Sequence, residues 1–195
     1  MMNFYRIFIL LIITTMAPAS CNASESNAVK AVDVNQLIKK YLSPKFVTES
    51  DDTSSVIKGD FNGDGVIDLA VLFLPTSEIV TSNNLKVTKL WQYPDAVPTS
   101  GFHKSLVIFH GDESDWLSGD KQVHVLLDTT GALETPSFKL LVSHVRDKDY
   151  KDNVKYLPVN KLQSDLIILP TEAGIDTYIY WDQGRYHLFE PDEIP

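Results

Sequence analysis

Between residues 59 and 74 the chain reads GDFNGDGVIDLAVLFL, and oxygen-bearing side chains recur in it at a tight spacing. Counting from Asp60, the side chains of Asp60, Asn62, Asp64 and Asp68 fall at positions 1, 3, 5 and 9. Val66, at position 7, offers its backbone carbonyl, and Gly65, at position 6, permits the sharp turn that folds the oxygens inward. A hard cation such as Ca²⁺ takes six to eight oxygens at roughly 2.3–2.6 Å, and this short segment supplies most of that shell, with water completing it. The expected metal ligands are therefore Asp60, Asn62, Asp64, Val66 and Asp68, and the expected cofactor is Ca²⁺.

The flanks decide how such a loop is held. Val56 and Ile57 lead in, and the apolar run from Leu69 to Leu74 leads out until Pro75 stops it. A strand-length run with no polar alternation predicts a strand buried on both faces. The reading is a strand–loop–strand unit, in which a cation would cross-link the turn. It departs from an EF-hand, whose flanks are helices and whose position 12 is a bidentate Glu; here that position is Val71. Without the bidentate ligand the expected dissociation constant is weak, on the order of 10⁻⁴–10⁻³ M.

The stretch GDFNGDGVIDLAV resembles the calcium loop of FG-GAP and VCBS-type repeats, found in integrin-like propeller blades. Asp60, Asn62, Asp64, Gly65 and Asp68 match that family's pattern D-x-[DN]-x-D-G-x-x-D. The resemblance implies Ca²⁺ binding in a β-rich setting. It does not imply a propeller, because the chain carries a single copy of the loop and several stacked blades are needed to close that fold. The chain is more similar to small bacterial envelope proteins with one such loop, a short helix before it and a closing Tyr-Trp-Asp-x-Gly-x-Tyr hairpin. The matching segments here are Val34–Leu42 and the run Tyr180, Trp181, Asp182, Gln183, Gly184, Arg185, Tyr186.

Length and charge narrow the possibilities. A chain of 195 residues with 44% apolar content suits one domain with a sizeable core plus a targeting segment. The formal net charge is −9, and removing residues 1–20, whose only charge is Arg6, makes it one unit more negative. Such an acidic chain is not expected to bind nucleic acid or an anionic membrane surface, both of which require clustered Lys and Arg. Arg6, the apolar stretch 7–13 and the small-x-small run Ala17, Pro18, Ala19 read as a secretory signal over 1–21. The apolar stretch is too short to span a bilayer comfortably. Cys21 is the single cysteine, so no intramolecular disulfide can form. Two readings of it stand together: lipidation, which would be the sole membrane attachment, and cleavage after Ala19 or Ala23 with an unimportant or lost thiol. Residues 22–28 form a short tether, and 29–195 form the domain, with the calcium loop at 60–68.

Within the domain, Val34, Leu37, Ile38, Tyr41 and Leu42 line one helical face, which predicts a packing helix over a sheet. Asp33 is its expected cap, and Ser43 with Pro44 ends it. Residues 45–55 read as a polar lead. The stretch 75–101 is irregular: Leu85, Val87 and Leu90 suit a strand or a short helix, and Trp91 and Tyr93 suit core anchors better than an exposed patch. Strands are expected over 103–110, 122–127, 138–145 and 165–169, and over 175–181 and 185–189 around an Asp182-Gln183-Gly184 turn. The acidic stretch 111–120 and the mixed-charge stretch 147–153 read as solvated connections. The fold class that follows is α+β, mostly antiparallel sheet, with the N-terminal helix and the strand–calcium loop–strand unit.

Enzyme signatures are missing from the sequence. The histidines His103, His110, His124, His144 and His187 are scattered singly, with no zinc-binding spacing. No nucleophile elbow and no phosphate-cradling glycine motif occurs. The expected function is therefore that of an exported, non-enzymatic, calcium-binding protein of the bacterial envelope, periplasmic or lipid-anchored. Two alternatives remain beside it: an inhibitor or immunity-type protein using the acidic surface, and a hydrolase whose carboxylates meet only in space. A dockerin-like module would need two loops with helical flanks.

Overall fold

The structure is a computed structural model that describes residues 34–42, 46–47, 56–79, 83–91, 101–111, 116–117, 121–134, 140–155, 157–159, 162–170 and 176–191. The expected signal segment with Cys21, the tether, Asp33, Ser43, Pro44 and Tyr93 lie outside the described residues, as do 112–115 and 118–120.

Among the described residues the fold consists of two sheets, two short α-helices and a 3-10 turn at Ala132–Glu134. In chain order the elements are α1 (Val34–Leu42), β1 (Phe46–Val47), β2 (Val56–Gly59), β3 (Asp68–Pro75), β4 (Leu85–Lys89), β5 (Ser105–Phe109), β6 (Val123–Leu127), β7 (Leu141–Ser143), α2 (Tyr150–Val154), β8 (Leu166–Leu169), β9 (Thr177–Asp182) and β10 (Arg185–Phe189). The first sheet runs β1-β3-β5-β6-β4, with β2 also paired to β3. It is antiparallel except for the β4–β6 pair. The second sheet is antiparallel, in the order β10-β9-β8-β7.

Strand β3 explains the layering. Its alternate residues serve two different cores, so an unbroken apolar run is what its position requires. Leu69, Val71 and Phe73 join Val107, Phe109, Val123 and Val125 on one face, where Leu37, Ile38 and Leu42 of α1 cover them. Ala70 joins Leu106, Ile108 and Leu126 on the other face, against Ile167, Leu169, Ile179 and Tyr186 of the second sheet. A smaller cluster of Tyr150, Leu157, Leu166 and Tyr180 lies on the far side of the second sheet.

Several segments differ from the sequence-based reading. The polar lead 45–55 contributes β1, and the ambiguous stretch after Pro75 contributes β4, an edge strand that pairs in parallel with β6. Leu85, Val87 and Leu90 fit either period locally, and pairing with β6 selects the extended form. Trp91 is buried in the inter-sheet core, with its indole N–H donating to Glu190 Oε1 at 2.6 Å. The mixed-charge stretch winds into α2, because Tyr150 is buried there and its hydroxyl donates to the Ser164 carbonyl at 2.6 Å. Among those charges the one aromatic gave a weak sequence signal. The closing hairpin turns through Gln183 (φ 49°) and Gly184 (φ 80°), the paired positive values of a type I′ turn.

Past β5 the chain meets the loop between β2 and β3 at Gly111. A Cβ there would lie 2.0 Å from the Ile67 carbonyl oxygen. Gly111→Ala should therefore lower stability by about 3 kcal/mol or more, since two backbone segments must separate. Gly65→Ala meets no atom within 4 Å and pays only for its φ of +86°, about 1–2 kcal/mol. Urea unfolding midpoints of the two variants should show that order.

Candidate metal centre

The loop 60–67 closes the β2–β3 hairpin, whose last pair is Gly59 with Asp68. Two positive-φ glycines, Gly63 at 76° and Gly65 at 86°, curl it back on its first residue. The Asp60 carboxylate takes up the N–H groups this turn frees: Gly63 donates to Oδ1 at 2.8 Å and Gly65 to Oδ2 at 2.9 Å. Asn62 Oδ1 accepts the Asp64 N–H at 3.0 Å, and Asp64 Oδ1 accepts the Val66 N–H at 2.8 Å. The Asn62 amide also donates to Asp64 Oδ2 at 2.8 Å. These are the local side-chain-to-backbone bonds that Asp and Asn favour in turns.

Two carboxylates fasten the loop to the rest of the fold. Asp68 is fully buried; its Oδ2 accepts the Phe61 N–H at 2.9 Å and its Oδ1 accepts the Gly111 N–H at 2.8 Å. Asp165, just before β8 in the second sheet, accepts the Asp60 N–H at 2.9 Å, while its own N–H donates to the Asp60 carbonyl at 2.7 Å. The same Asp165 carboxylate accepts the Val145 N–H at 2.8 Å and pairs with His144 Nδ1 at 2.7 Å. Phe61, between Asp60 and Asn62, plugs the inter-sheet core.

The loop is electrostatically loaded. Burial pushes the Asp68 carboxyl up to about 7, against the Gly111 and Phe61 N–H groups that favour its charge, and the nearby Asp64 and Asp60 charges add to the rise. Asp60 is raised as well, first by burial and then by Asp64 and Asp165, against the Gly65 and Gly63 N–H groups.

Of the five expected ligands, the fold gathers Asp60, Asn62 and Asp64 into one hydrogen-bonded turn with Asp64 exposed. Val66 is half-buried and gives its N–H to this network. Asp68 instead faces the joint with Gly111, with both oxygens engaged. Among the described residues, no group of three or more His, Cys, Asp or Glu side chains forms a ready-made ligand cluster. The donor chemistry nevertheless suits a hard cation. Every candidate atom is oxygen, and a carboxylate oxygen that accepts one N–H keeps a second acceptor site.

Sequence spacing missed a pair of histidines beside this loop. His110 and His124 stack at 4.8 Å between ring centroids, inclined by 23°, with Trp181 and Tyr186 edge-on to both. A detectable signal was parity. His110 is two residues beyond Ile108, and His124 two before Leu126, so both share the inter-sheet face. His110 Nε2 lies 3.0 Å from the Tyr186 hydroxyl and its Nδ1 lies 3.3 Å from the Asn62 amide nitrogen. His124 is 1% exposed, and its Nε2 has no hydrogen-bond partner. Burial pushes His110 down to about 4 and His124 to about 3, with the neighbouring His110 charge adding to the latter.

Set against known protein families, curated proteins and solved structures, the chain matches none of them.

The buried His124 predicts an acid-sensitive contribution to stability. Its folded pKa of about 3 lies below the unfolded value of 6.5, so the unfolded chain binds the proton more readily. Stability from this group is complete above pH 6.5 and falls as pH drops toward 3, by up to about 1.4 kcal/mol per pH unit. Asp68 acts in the opposite sense between 3.8 and about 7, so the His124 part is read as a difference. Denaturant unfolding of His124→Phe and the parent across pH 4–7 should show the shallower acid loss in the variant.

Proposed function

We propose that this chain is an exported, non-enzymatic calcium-binding protein, held in the bacterial envelope as a periplasmic or lipid-anchored form, in which Ca²⁺ stabilises the turn between β2 and β3. The reading combines the likeness to FG-GAP and VCBS-type loops with one structural observation that carries it. The first ligand residue, Asp60, is also the residue bonded reciprocally to Asp165 across the two sheets. Whatever stiffens the loop therefore stiffens the joint between the sheets.

Asp60, Asn62, Asp64 and Asp68 would hold the cation through side-chain oxygens and Val66 through its carbonyl, with α1 packing over the far side of the sheet that bears the loop. When bound, the ion supplies positive charge that offsets the mutual repulsion of three carboxylates. The protein's part is to position those oxygens: the two glycines turn the chain, Asp165 holds its entry and Asp68 its exit. Such an arrangement suits a structural clamp or an interaction module better than a catalytic centre. The acidic balance of the chain favours a cationic protein as any further partner over nucleic acid.

A cation that binds only the folded form adds RT ln(1 + [Ca²⁺]/Kd), roughly 1.4 kcal/mol at ten times Kd. Thermal melts in millimolar Ca²⁺, in Mg²⁺ and in chelator should show a rise of several degrees with Ca²⁺ alone. Asp64→Ala, at the exposed ligand position, should abolish that rise while leaving the chelator melt nearly unchanged. An equal response to Ca²⁺ in parent and variant would remove the loop from the assignment.

A further inference from the structure

Asn62 is held from within the loop by Asp64 and from outside it by His110. An amide offers two N–H donors and one acceptor oxygen. Nδ2 donates to Asp64 Oδ2 at 2.8 Å and faces His110 Nδ1 at 3.3 Å, while Oδ1 accepts the Asp64 N–H at 3.0 Å. Both amide hydrogens are then committed, the amide plane is set, and Oδ1 retains one acceptor site.

The partners also determine the state of His110. Facing an amide N–H, Nδ1 must be the bare nitrogen, so the proton sits on Nε2 and points at the Tyr186 hydroxyl 3.0 Å away. With both nitrogens engaged, the ring is not itself available as a metal ligand. Nor can it turn readily: it is 9% exposed, stacked on His124 at 4.8 Å and flanked edge-on by Trp181 at 5.2 Å. A rigid chain of contacts thus runs from β10 through His110 to the third position of the loop.

We infer that His110 is a positioning residue for the cation loop, holding the Asn62 amide so that Oδ1 is presented to Ca²⁺. The inference rests on the calcium reading above and deepens it. An Asn on a half-exposed turn otherwise samples several rotamers, and ordering it would count against binding. Here the buried imidazole orders it beforehand, as outer-shell partners do for metal ligands generally. This rigidity also offsets in part the bidentate ligand missing at Val71.

The test is calorimetric Ca²⁺ titration of the full chain, with folding checked by circular dichroism in chelator. His110→Leu should weaken Ca²⁺ binding about 10-fold or more, within the roughly 10–100-fold range typical of lost outer-shell partners. His110→Asn, whose amide oxygen can stand where Nδ1 stood, should keep most of the affinity. In an Asn62→Ala background, His110→Leu should cause no further loss; a merely structural role would give the same loss in both backgrounds. If His110→Leu does not fold, Tyr186→Phe replaces it, removing the hydroxyl but keeping the ring, with a smaller loss that again vanishes in the Asn62→Ala background. Parent-like affinity in the folded variants, or equal losses with and without Asn62, would overturn the positioning role alone. A parent chain that takes up no Ca²⁺ would overturn the calcium reading and this inference together.

Discussion

Asp165 is the constraint on which the joint between the sheets depends. One carboxylate accepts the N–H groups of Asp60 and Val145 and pairs with His144, while the Asp165 amide returns a hydrogen bond to Asp60. Hydrogen bonds to an ionised group are stronger than neutral ones, and a buried carboxylate deprived of them would be left at a cost of several kcal/mol. The residue thus ties the entrance of the loop to the start of β8 in the second sheet. Phe61, next in the chain, can then enter the inter-sheet core.

The loop's exit is held by the same kind of device, with a different balance. Asp68 also accepts two backbone N–H groups, yet it is buried and feels the charges of Asp60 and Asp64. Its carboxyl is therefore pushed up where a surface carboxyl would remain low. The loop concentrates negative charge at the point where the sheets meet, and hydrogen bonds alone satisfy its geometry without neutralising that charge. A cation of the kind proposed would supply the positive charge that the backbone donors do not.

The imidazole cluster gives the region its stiffness on the other side. His110 and His124 occupy inter-sheet positions among apolar residues, and both are held neutral by burial. An apolar residue at 110 would fill the space as well but could not accept from Asn62. The polar contact to the loop is a specific gain from a residue type that is costly to bury.

What the sequence determined by itself was local. Nine consecutive residues carried the turn chemistry, because Asp, Asn and Gly at that spacing bond to their own backbone whatever lies around them. The apolar run of β3 and the Gly184 hairpin were legible for the same reason: each depends on neighbours a few residues away. The rest required the tertiary structure. The parallel β4–β6 pairing, the helical form of 150–154 and the gathering of His110, His124, Asp165 and His144 beside the loop join residues from separate elements of the chain. Periodicity says which face a side chain occupies but not which strand will lie opposite. The residues packed around the loop are brought there by sheet register and sheet packing, and those are decided only when the whole core closes.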